Sequence, residues 1–380
     1  MRIMIVLEAT AGGTLRHVVE LAPRLQARGY SVHLVCSTRR RPACSLVLED
    51  LREAGITVSE MDMRRDVDPL RDCAAAFRLA RLIRRTKPDI LHLHSSKAGA
   101  LGRAAMALLP GRSPAVVYTP HCYAFLSQPG NRNRTMYRWI ERALLLWTNR
   151  VAAVSESEAA AARGLGACHK VRIIANGVAL PCTPAASADP RVFRIGWLGR
   201  LVWQKNPEAA VTVSFVLNQL GIEHELIMGG DGPGRSSVEA AIRDLGCGHS
   251  VRLAGHVSDT TAFHGSLGAF LMTSRAEGLP YSGLDAMAHG VPIVGFDVPG
   301  VRDLVNHGAD GLLSPTDDPG ALAAHLARLA QDPELRCRFG AVARARVRAE
   351  FLVERQAERL CSLYRSLVPE PRTNAVAVPA

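Results

Sequence analysis

Two periodicities alternate along the chain. Short runs of apolar residues, such as IMIVL at 3–7, are followed by longer stretches in which apolar residues recur every three or four positions. The short runs predict buried strands at 1–7, 31–36, 56–61, 89–94, 115–119 and 151–154. The longer stretches predict amphipathic helices near 15–28, 68–86, 97–108, 133–148 and 155–164. Gly29 stops the first helix. At LPCTPAASADP (180–190) the periodicity lapses, and a second series begins. Its strands are expected at 193–198, 225–228, 251–254, 269–273, 292–296 and 311–313. Helices are expected near 206–219, 235–245, 283–289 and 317–330, then at 333–349 and 351–367. Strands alternating with helices imply a parallel sheet covered on both faces.

The expected architecture is therefore α/β, two doubly wound, Rossmann-like domains facing a cleft. The first spans 1–180, a linker covers 181–191 and the second domain spans 192–350. A closing helix at 351–368 is expected to pack back toward the first domain, with a frayed tail at 369–380. Ligands in such folds lie at the carboxyl ends of the strands, so the loops after strands matter most.

Composition narrows the class. At 380 residues the chain is too long for one compact core, and 48% hydrophobic with 21% charged residues excludes a mostly disordered chain. No apolar stretch approaches the ~20 residues of a membrane span. The run at 3–7 is short for a signal-peptide core and reads better as a first strand. Nine cysteines, an odd number with no C-x-x-C spacing, suggest neither a disulfide framework nor a zinc site, and fit a reducing cytosol. Charge is unevenly placed. Residues 1–185 hold 27 basic against 14 acidic residues, whereas the remainder holds 19 against 21. Nucleic acid, an anionic membrane surface, or a merely solubilising Arg-rich face all fit that surplus.

Several loops carry candidate chemistry. In TSRAEGLPYSGLDAMAHG (273–290) a strand ends at Thr273, a loop holds Glu277 and Gly278, and a helix is expected from Ser282 or Gly283. Free N–H groups at a helix start suit a phosphate. Gly278 and Gly283 are expected to let backbone approach a ligand. Asp285, expected in the first helical turn, either grips a vicinal diol such as a ribose or only complements the helix dipole. In GWLGRLVWQKNP (196–207), Gly199 follows a strand and Arg200 and Lys205 stand where two cations neutralise a diphosphate. The GGDGPG run at 229–234 either passes close to a ligand or makes a tight strand–helix turn, the commoner use.

The first half offers Gly12 and Gly13 after its first strand, weak as a dinucleotide signal without the full G-x-G-x-x-G. His92 and His94 share a strand face, but no third metal ligand is evident, and hydrogen-bonded polar residues at a strand end are the better reading. His121, just past the strand ending at Thr119, is the best candidate for a polar catalytic role. Asp66-Val67-Asp68 reads as a solvated loop and helix start rather than a metal–nucleotide pair. A G-x-S-x-G elbow and a Walker A sequence are both absent.

Taken together, these motifs resemble the retaining glycosyltransferases of family 4, with the GT-B fold. The resemblance spans nearly the whole chain. Its most specific segment is SRAEGLPYSGLDAMAHGVPIV at 274–294, supported by HLHSSKAGALGR (92–103), YTPH (118–121), VSESEA (154–159), IANGV (174–178), GRLVWQKNP (199–207), GGDGP (229–233) and GVRDLV (300–305). It implies a retaining, metal-independent transfer from a nucleoside-diphosphate sugar, foremost a UDP-sugar, with no cofactor. The implied acceptor is a saccharide or lipid-linked saccharide in bacterial exopolysaccharide or related cell-surface synthesis. By the same resemblance Arg200 and Lys205 bind the donor diphosphate, and Glu277, the first acid of the E-x7-E motif, lies near the donor sugar. Gly278, Leu279, Pro280, Tyr281, Ser282 and Gly283 offer backbone contacts to diphosphate and sugar. Asp285 holds the ribose where the family usually has Glu. His121 approaches the transferred sugar, Gly12, Gly13, Gly199 and Gly230 bring backbone near the donor, and His256 falls where backbone meets the base. The rival classes are a sugar-nucleotide epimerase of the same fold and a basic nucleic-acid binder, the latter disfavoured by only 5% aromatic residues. The expected location is the cytoplasm, with peripheral docking on the anionic inner face of the plasma membrane.

Overall fold

The computed structural model describes residues 1–8, 10, 12–37, 45–64, 66–111, 114–127, 132–181 and 192–368. The expected linker beyond Pro181, the tail at 369–380 and the basic residues Arg39, Arg40, Arg41 and Arg65 lie outside them. The chain divides into two compact units. One comprises Met1–Thr119, Leu144–Val151 and the last helix from Ala357. The other comprises Pro120–Ala143 and Ala152–Gln356.

The first sheet is built from β1 (Arg2–Leu7), β2 (Ser31–Cys36), β3 (Thr57–Glu60), β4 (Ile90–His94), β5 (Ala115–Thr119), β6 (Arg150–Ala153) and β7 (Val171–Ile173), in the order β3-β2-β1-β4-β5-β6-β7. The pairings from β3 through β6 are parallel. β1 and β4 are buried along almost their whole length; β1 accordingly reads as a nearly continuous apolar run, whereas β4 carries the buried His92 and His94. The connecting helices are α1 (Gly12–Ala27), α2 (Ser45–Glu53), α3 (Pro69–Thr86), α4 (Ser96–Ala107), α5 (Ala124–Ser127), α6 (Arg132–Leu144) and α7 (Glu156–Gly164). α2 and β7 escaped the sequence reading because each is short and weakly periodic. Asp68 does start a helix. Its carboxylate accepts the Arg71 N–H at 3.2 Å, Pro69 takes the first helical position, and Lys87 closes α3 in the left-handed conformation.

The second sheet comprises β8 (Phe193–Leu198), β9 (His224–Gly229), β10 (Val251–Gly255), β11 (Ala269–Met272), β12 (Ile293–Phe296) and β13 (Gly311–Ser314), in the order β10-β9-β8-β11-β12-β13, all parallel. Helices α8 (Pro207–Gln219), α9 (Arg235–Asp244), α10 (Thr260–Gly265), α11 (Tyr281–Ala288), α12 (Pro319–Gln331) and α13 (Pro333–Glu350) connect and flank the strands. Its core is lined by side chains such as Phe270, Leu284, Phe296 and Leu326. The strand order reverses between β8 and β11. Chain leaving these neighbouring strands turns to opposite sides, which opens a crevice at their carboxyl ends. β1 and β4 make the corresponding reversal in the first sheet.

The last helix, α14 (Val353–Leu367), belongs to the first unit from Ala357 onward. There the Tyr364 hydroxyl lies 2.6 Å from His92 Nδ1, while His92 Nε2 lies 2.9 Å from Thr119 Oγ1. Both ring nitrogens of His92 are thus engaged inside the fold, and burial holds its pKa well below the ordinary 6.5, so the ring stays neutral. Among the described residues no helix is long and apolar enough to cross a membrane.

Candidate active site

The reversal between β8 and β11 gathers most of the second-half candidates. After β8 the chain runs through Gly199 and the exposed Arg200 into a 3-10 turn, Trp203–Lys205. Asn206, left-handed at φ 48°, then redirects it into α8. After β11 it runs from Thr273 to Pro280 and enters α11. The two loops are bound to each other: Arg275 N donates to Gln204 O at 2.8 Å, Gln204 Nε2 to Ala276 O at 2.8 Å, and Thr273 Oγ1 to Lys205 O at 3.1 Å. Thr273 Oγ1 also accepts from Trp197 Nε1 at 3.0 Å, which ties the junction to β8.

At the centre of this junction Lys205 Nζ donates to Glu277 Oε1 at 2.5 Å, and Ser274 Oγ donates to the same oxygen at 2.6 Å. Glu277 is only 9% exposed, so its carboxylate needs both partners. Its backbone N–H donates to Pro299 O at 2.9 Å. Gly300, just beyond, has φ +83°, and a Cβ there would stand 2.6 Å from the Glu277 carbonyl carbon and oxygen. Only glycine lets the two segments pass. Lys205 and Glu277, expected to serve the diphosphate and the sugar separately, thus form a direct ion pair.

Other glycines have packing roles. A Cβ on Gly283 would meet Leu304 Cδ2 at 2.4 Å, Met272 Sδ at 3.2 Å and Ile293 Cδ1 at 3.4 Å. Gly283 therefore lets α11 lie close on the sheet. A Cβ on Gly230, φ +121°, would fall 1.9 Å from Gly199 O, and Gly199 N donates to Gly229 O at 3.0 Å. The glycine run is thus a strand–helix turn packed backbone to backbone on the loop after β8. Gly230 N also donates to Gly255 O at 2.6 Å, which brings His256 beside the same turn. Gly199 has Lys205 Cδ 3.3 Å from where its Cβ would stand, so the lysine stem lies across it.

α11 starts at Tyr281, earlier than the sequence indicated. Pro280 stands at its N-cap position and no side chain caps it. Asp285 is consequently the fifth helical residue, in the second turn and not the first, which removes the helix-dipole reading. It is buried. Leu279 and Tyr281 put their side chains in the core, and Leu279 O already accepts from Asn176 Nδ2 at 2.7 Å. Within the stretch 278–283, that leaves Ser282 as the partly exposed side chain.

His121 and Cys122 follow β5 with φ 54° and 83°, a left-handed pair of non-glycine residues. A Cβ on Gly278 would meet Cys122 N and the His121 carbonyl carbon, both at 3.1 Å, so Gly278 lies directly against this peptide. The turn is held by Glu158, which the sequence reading did not single out. Its buried carboxylate accepts Cys122 N–H at 2.6 Å and Val154 N–H at 2.8 Å. Burial pushes its pKa up from 4.5 to about 7 against the pull of those two N–H groups, with Asp303 and Glu141 adding to the rise. Asp303 in turn accepts Ser157 N–H and Gly300 N–H, each at 2.9 Å, linking the α7 start to the Gly300 turn. Burial, with the Glu277 and Glu158 carboxylates, pushes the Cys122 thiol far above its ordinary range against the opposing pull of Lys205, so Cys122 is no nucleophile. Lys205, Glu277, Gly278, His121 and Gln204 thus form one cluster in the second unit. Gly12 and Gly13 are in the other unit, where they open α1 and are exposed, as part of the helix and not of a turn before it.

Residues 11–180 match the family model "Glycosyltransferase Family 4", and residues 187–346 match "Glycosyl transferases group 1". The chain is 27% identical over 322 residues to an Escherichia coli UDP-Gal:alpha-D-GlcNAc-diphosphoundecaprenol alpha-1,3-galactosyltransferase, covering 80% of this chain and 82% of that protein. It is 28% identical over 358 residues to the lipopolysaccharide core biosynthesis glycosyltransferase LpsD of Rhizobium meliloti, covering 92% and 94%. Among solved structures, Anabaena HepE in complex with UDP-glucose has TM-score 0.79 at 18% identity, covering 96% of this chain and all of that one. Two doubly wound parallel sheets, each with a switch point, make up the GT-B class of fold. The chain belongs to the GT-B glycosyltransferases, with a family 4 first half and a group 1 second half.

Glu158 yields a pH prediction. Its folded pKa is raised to about 7 from 4.5, so between these values the folded state keeps a proton that the unfolded chain has lost. Its contribution is whole below 4.5, is lost as pH rises to about 7, and is flat above that. The loss is on the order of 3 kcal/mol. Urea midpoints across this window are expected to fall more steeply in the wild type than in Glu158→Gln; parallel slopes would remove Glu158 as the titrating group.

Proposed function

We propose that the enzyme transfers a sugar, with retention at the anomeric carbon and without a bound metal, from a UDP-sugar to a saccharide or lipid-linked saccharide of bacterial cell-surface polysaccharide. The observation that carries this reading is the Lys205–Glu277 pair at the β8/β11 switch point, beside the uncapped start of α11. Lys205, Arg200 and the first N–H groups of α11 supply positive charge for a diphosphate, the part a metal ion plays elsewhere. In the reaction the acceptor hydroxyl oxygen bonds to the anomeric carbon on the face where the bond to the phosphate oxygen breaks. The departing phosphate oxygen takes the hydroxyl proton. Lys205 and Arg200 offset the charge growing on the leaving diphosphate.

Glu277, held by Lys205 and Ser274, serves the hydroxyls of the transferred sugar, and His121, against Gly278, approaches the same sugar. Asp285 takes the ribose hydroxyls, the Gly230 turn passes near the donor, and backbone at His256 lies toward the base. Two similar proteins support the substrate class: the E. coli relative is named for UDP-Gal and a diphosphoundecaprenol acceptor, and HepE was solved with UDP-glucose. A lipid-linked acceptor stays at the membrane, so peripheral docking on the anionic inner face belongs to the same reading. The basic surplus of residues 1–185 supports it.

Nucleoside diphosphate release that depends strictly on acceptor separates this transfer from an epimerase. Arg200→Ala and Lys205→Ala are each expected to slow release about a hundredfold, the effect of ~3 kcal/mol at a developing diphosphate, with the circular dichroism spectrum unchanged. Near-normal turnover in both would remove them from the site. Asp285→Glu, one methylene longer, is expected to keep or improve nucleotide affinity in a binding titration. A large loss would mean that the ribose is held otherwise.

A further inference from the structure

α3 (Pro69–Thr86) carries apolar residues on two opposite faces. Ala75, Ala76, Leu79, Ala80 and Ile83 are buried. Leu70, Cys73, Ala74 and Phe77, at i, i+3, i+4 and i+7, line the other face. All four are exposed, Leu70 by 85% and Phe77 by 69%. Single exposed apolar side chains need no explanation, but four in register form a patch. Charge changes along the same face. Asp66 is exposed just before the helix, and Arg81, Arg84 and Arg85 are exposed on the turns after Phe77. The one acid within α3, Asp72, is turned the other way and held by Lys97 Nζ at 2.6 Å.

We infer that α3 pairs with α3 of a second copy of the chain, antiparallel about a two-fold axis between Cys73 and Ala74. Residues equally far from that axis then face each other. Leu70 of each copy meets Phe77 of the other, the small side chains of Cys73 and Ala74 let the helices approach at the crossing, and Arg81 of each copy lies toward Asp66 of the other. The face is therefore complementary to itself in shape and in charge. Charge also decides between a second copy and a lipid surface. A helix lying in a lipid interface has its cations alongside the apolar stripe. Here the cations follow the stripe end to end, and its other end carries the Asp66 carboxylate, which anionic lipid repels. One helix from each copy makes an interface at the small end of the usual range, so the dimer is reversible. None of these residues belongs to the Lys205–Glu277 site, so pairing and transfer separate in the test.

The experiment is sedimentation velocity of the full chain over a range of concentrations. The wild type is expected to pass from monomer to dimer as concentration rises. Leu70→Glu with Phe77→Glu is expected to weaken pairing by more than about tenfold. Arg81→Glu is expected to weaken it several-fold, and Asp66→Arg in the same chain to restore it, because the exchange re-forms both ion pairs. All four residues are exposed, so the circular dichroism spectrum and acceptor-dependent nucleoside diphosphate release should be unchanged. A short bis-maleimide is expected to join two copies through the exposed Cys73, and Cys73→Ser to abolish that product. A wild type that stays monomeric throughout overturns the pairing. A dimer that survives Leu70→Glu with Phe77→Glu, or that cross-links through Cys168 or Cys337 instead, overturns the assignment of α3. Salt-sensitive pelleting with phosphatidylglycerol vesicles that the same double variant abolishes, without any dimer, gives the face to lipid and overturns the proposal.

Discussion

The second unit turns on one buried carboxylate. Glu277 leaves β11 inside the fold, and an ionised group there is costly unless it is paired and hydrogen-bonded. Lys205 and Ser274 meet that need, and each comes from a chain segment with little freedom to move. Lys205 ends a 3-10 turn fixed by left-handed Asn206, and its backbone carbonyl accepts from Thr273. Gly300 gives the Glu277 backbone room to pass and passes its own N–H to Asp303. The ion pair is thus less a source of stability than a means of positioning. It presents one ammonium group and one carboxylate at the point where the parallel sheet reverses its order and the start of α11 is open.

A second chain of hydrogen bonds connects this centre with the turn after β5. Glu158 holds Cys122 N–H and Val154 N–H, Asp303 holds Ser157 N–H and Gly300 N–H, and Gly278 lies against the His121–Cys122 peptide. Left-handed conformations at two successive non-glycine residues are unfavourable and persist where the surroundings fix them. Here Glu158 does so from the start of α7. The same two carboxylates tie residues 120–122, 154–158 and 300–303 together within one unit.

The alternation of strands and helices was legible because fully buried parallel strands and amphipathic helices leave different periodicities. That Lys205 and Glu277 lie at the ligand-binding end of the sheet was legible, since both follow strands; their direct pairing was not. The job of each glycine was not legible. Gly283 makes room for Leu304 and Gly230 for the Gly199 carbonyl, neighbours that lie far off in sequence and that no local pattern announces. Glu158 was missed for a similar reason. In VSESEA it looks like a first-turn acid at a helix start, and nothing local tells that its partner, Cys122, lies 36 residues earlier. The α3 pattern was visible as a helix, but periodicity does not tell which of its two apolar faces the fold buries.

Binding of a nucleoside diphosphate compared with its monophosphate, by isothermal titration calorimetry, tests the diphosphate-binding role of Lys205, Arg200 and the α11 start most directly. UDP is expected to bind markedly more tightly than UMP, and Lys205→Ala to abolish most of that difference while leaving UMP affinity nearly unchanged. Equal affinities for UDP and UMP in the wild type would contradict it.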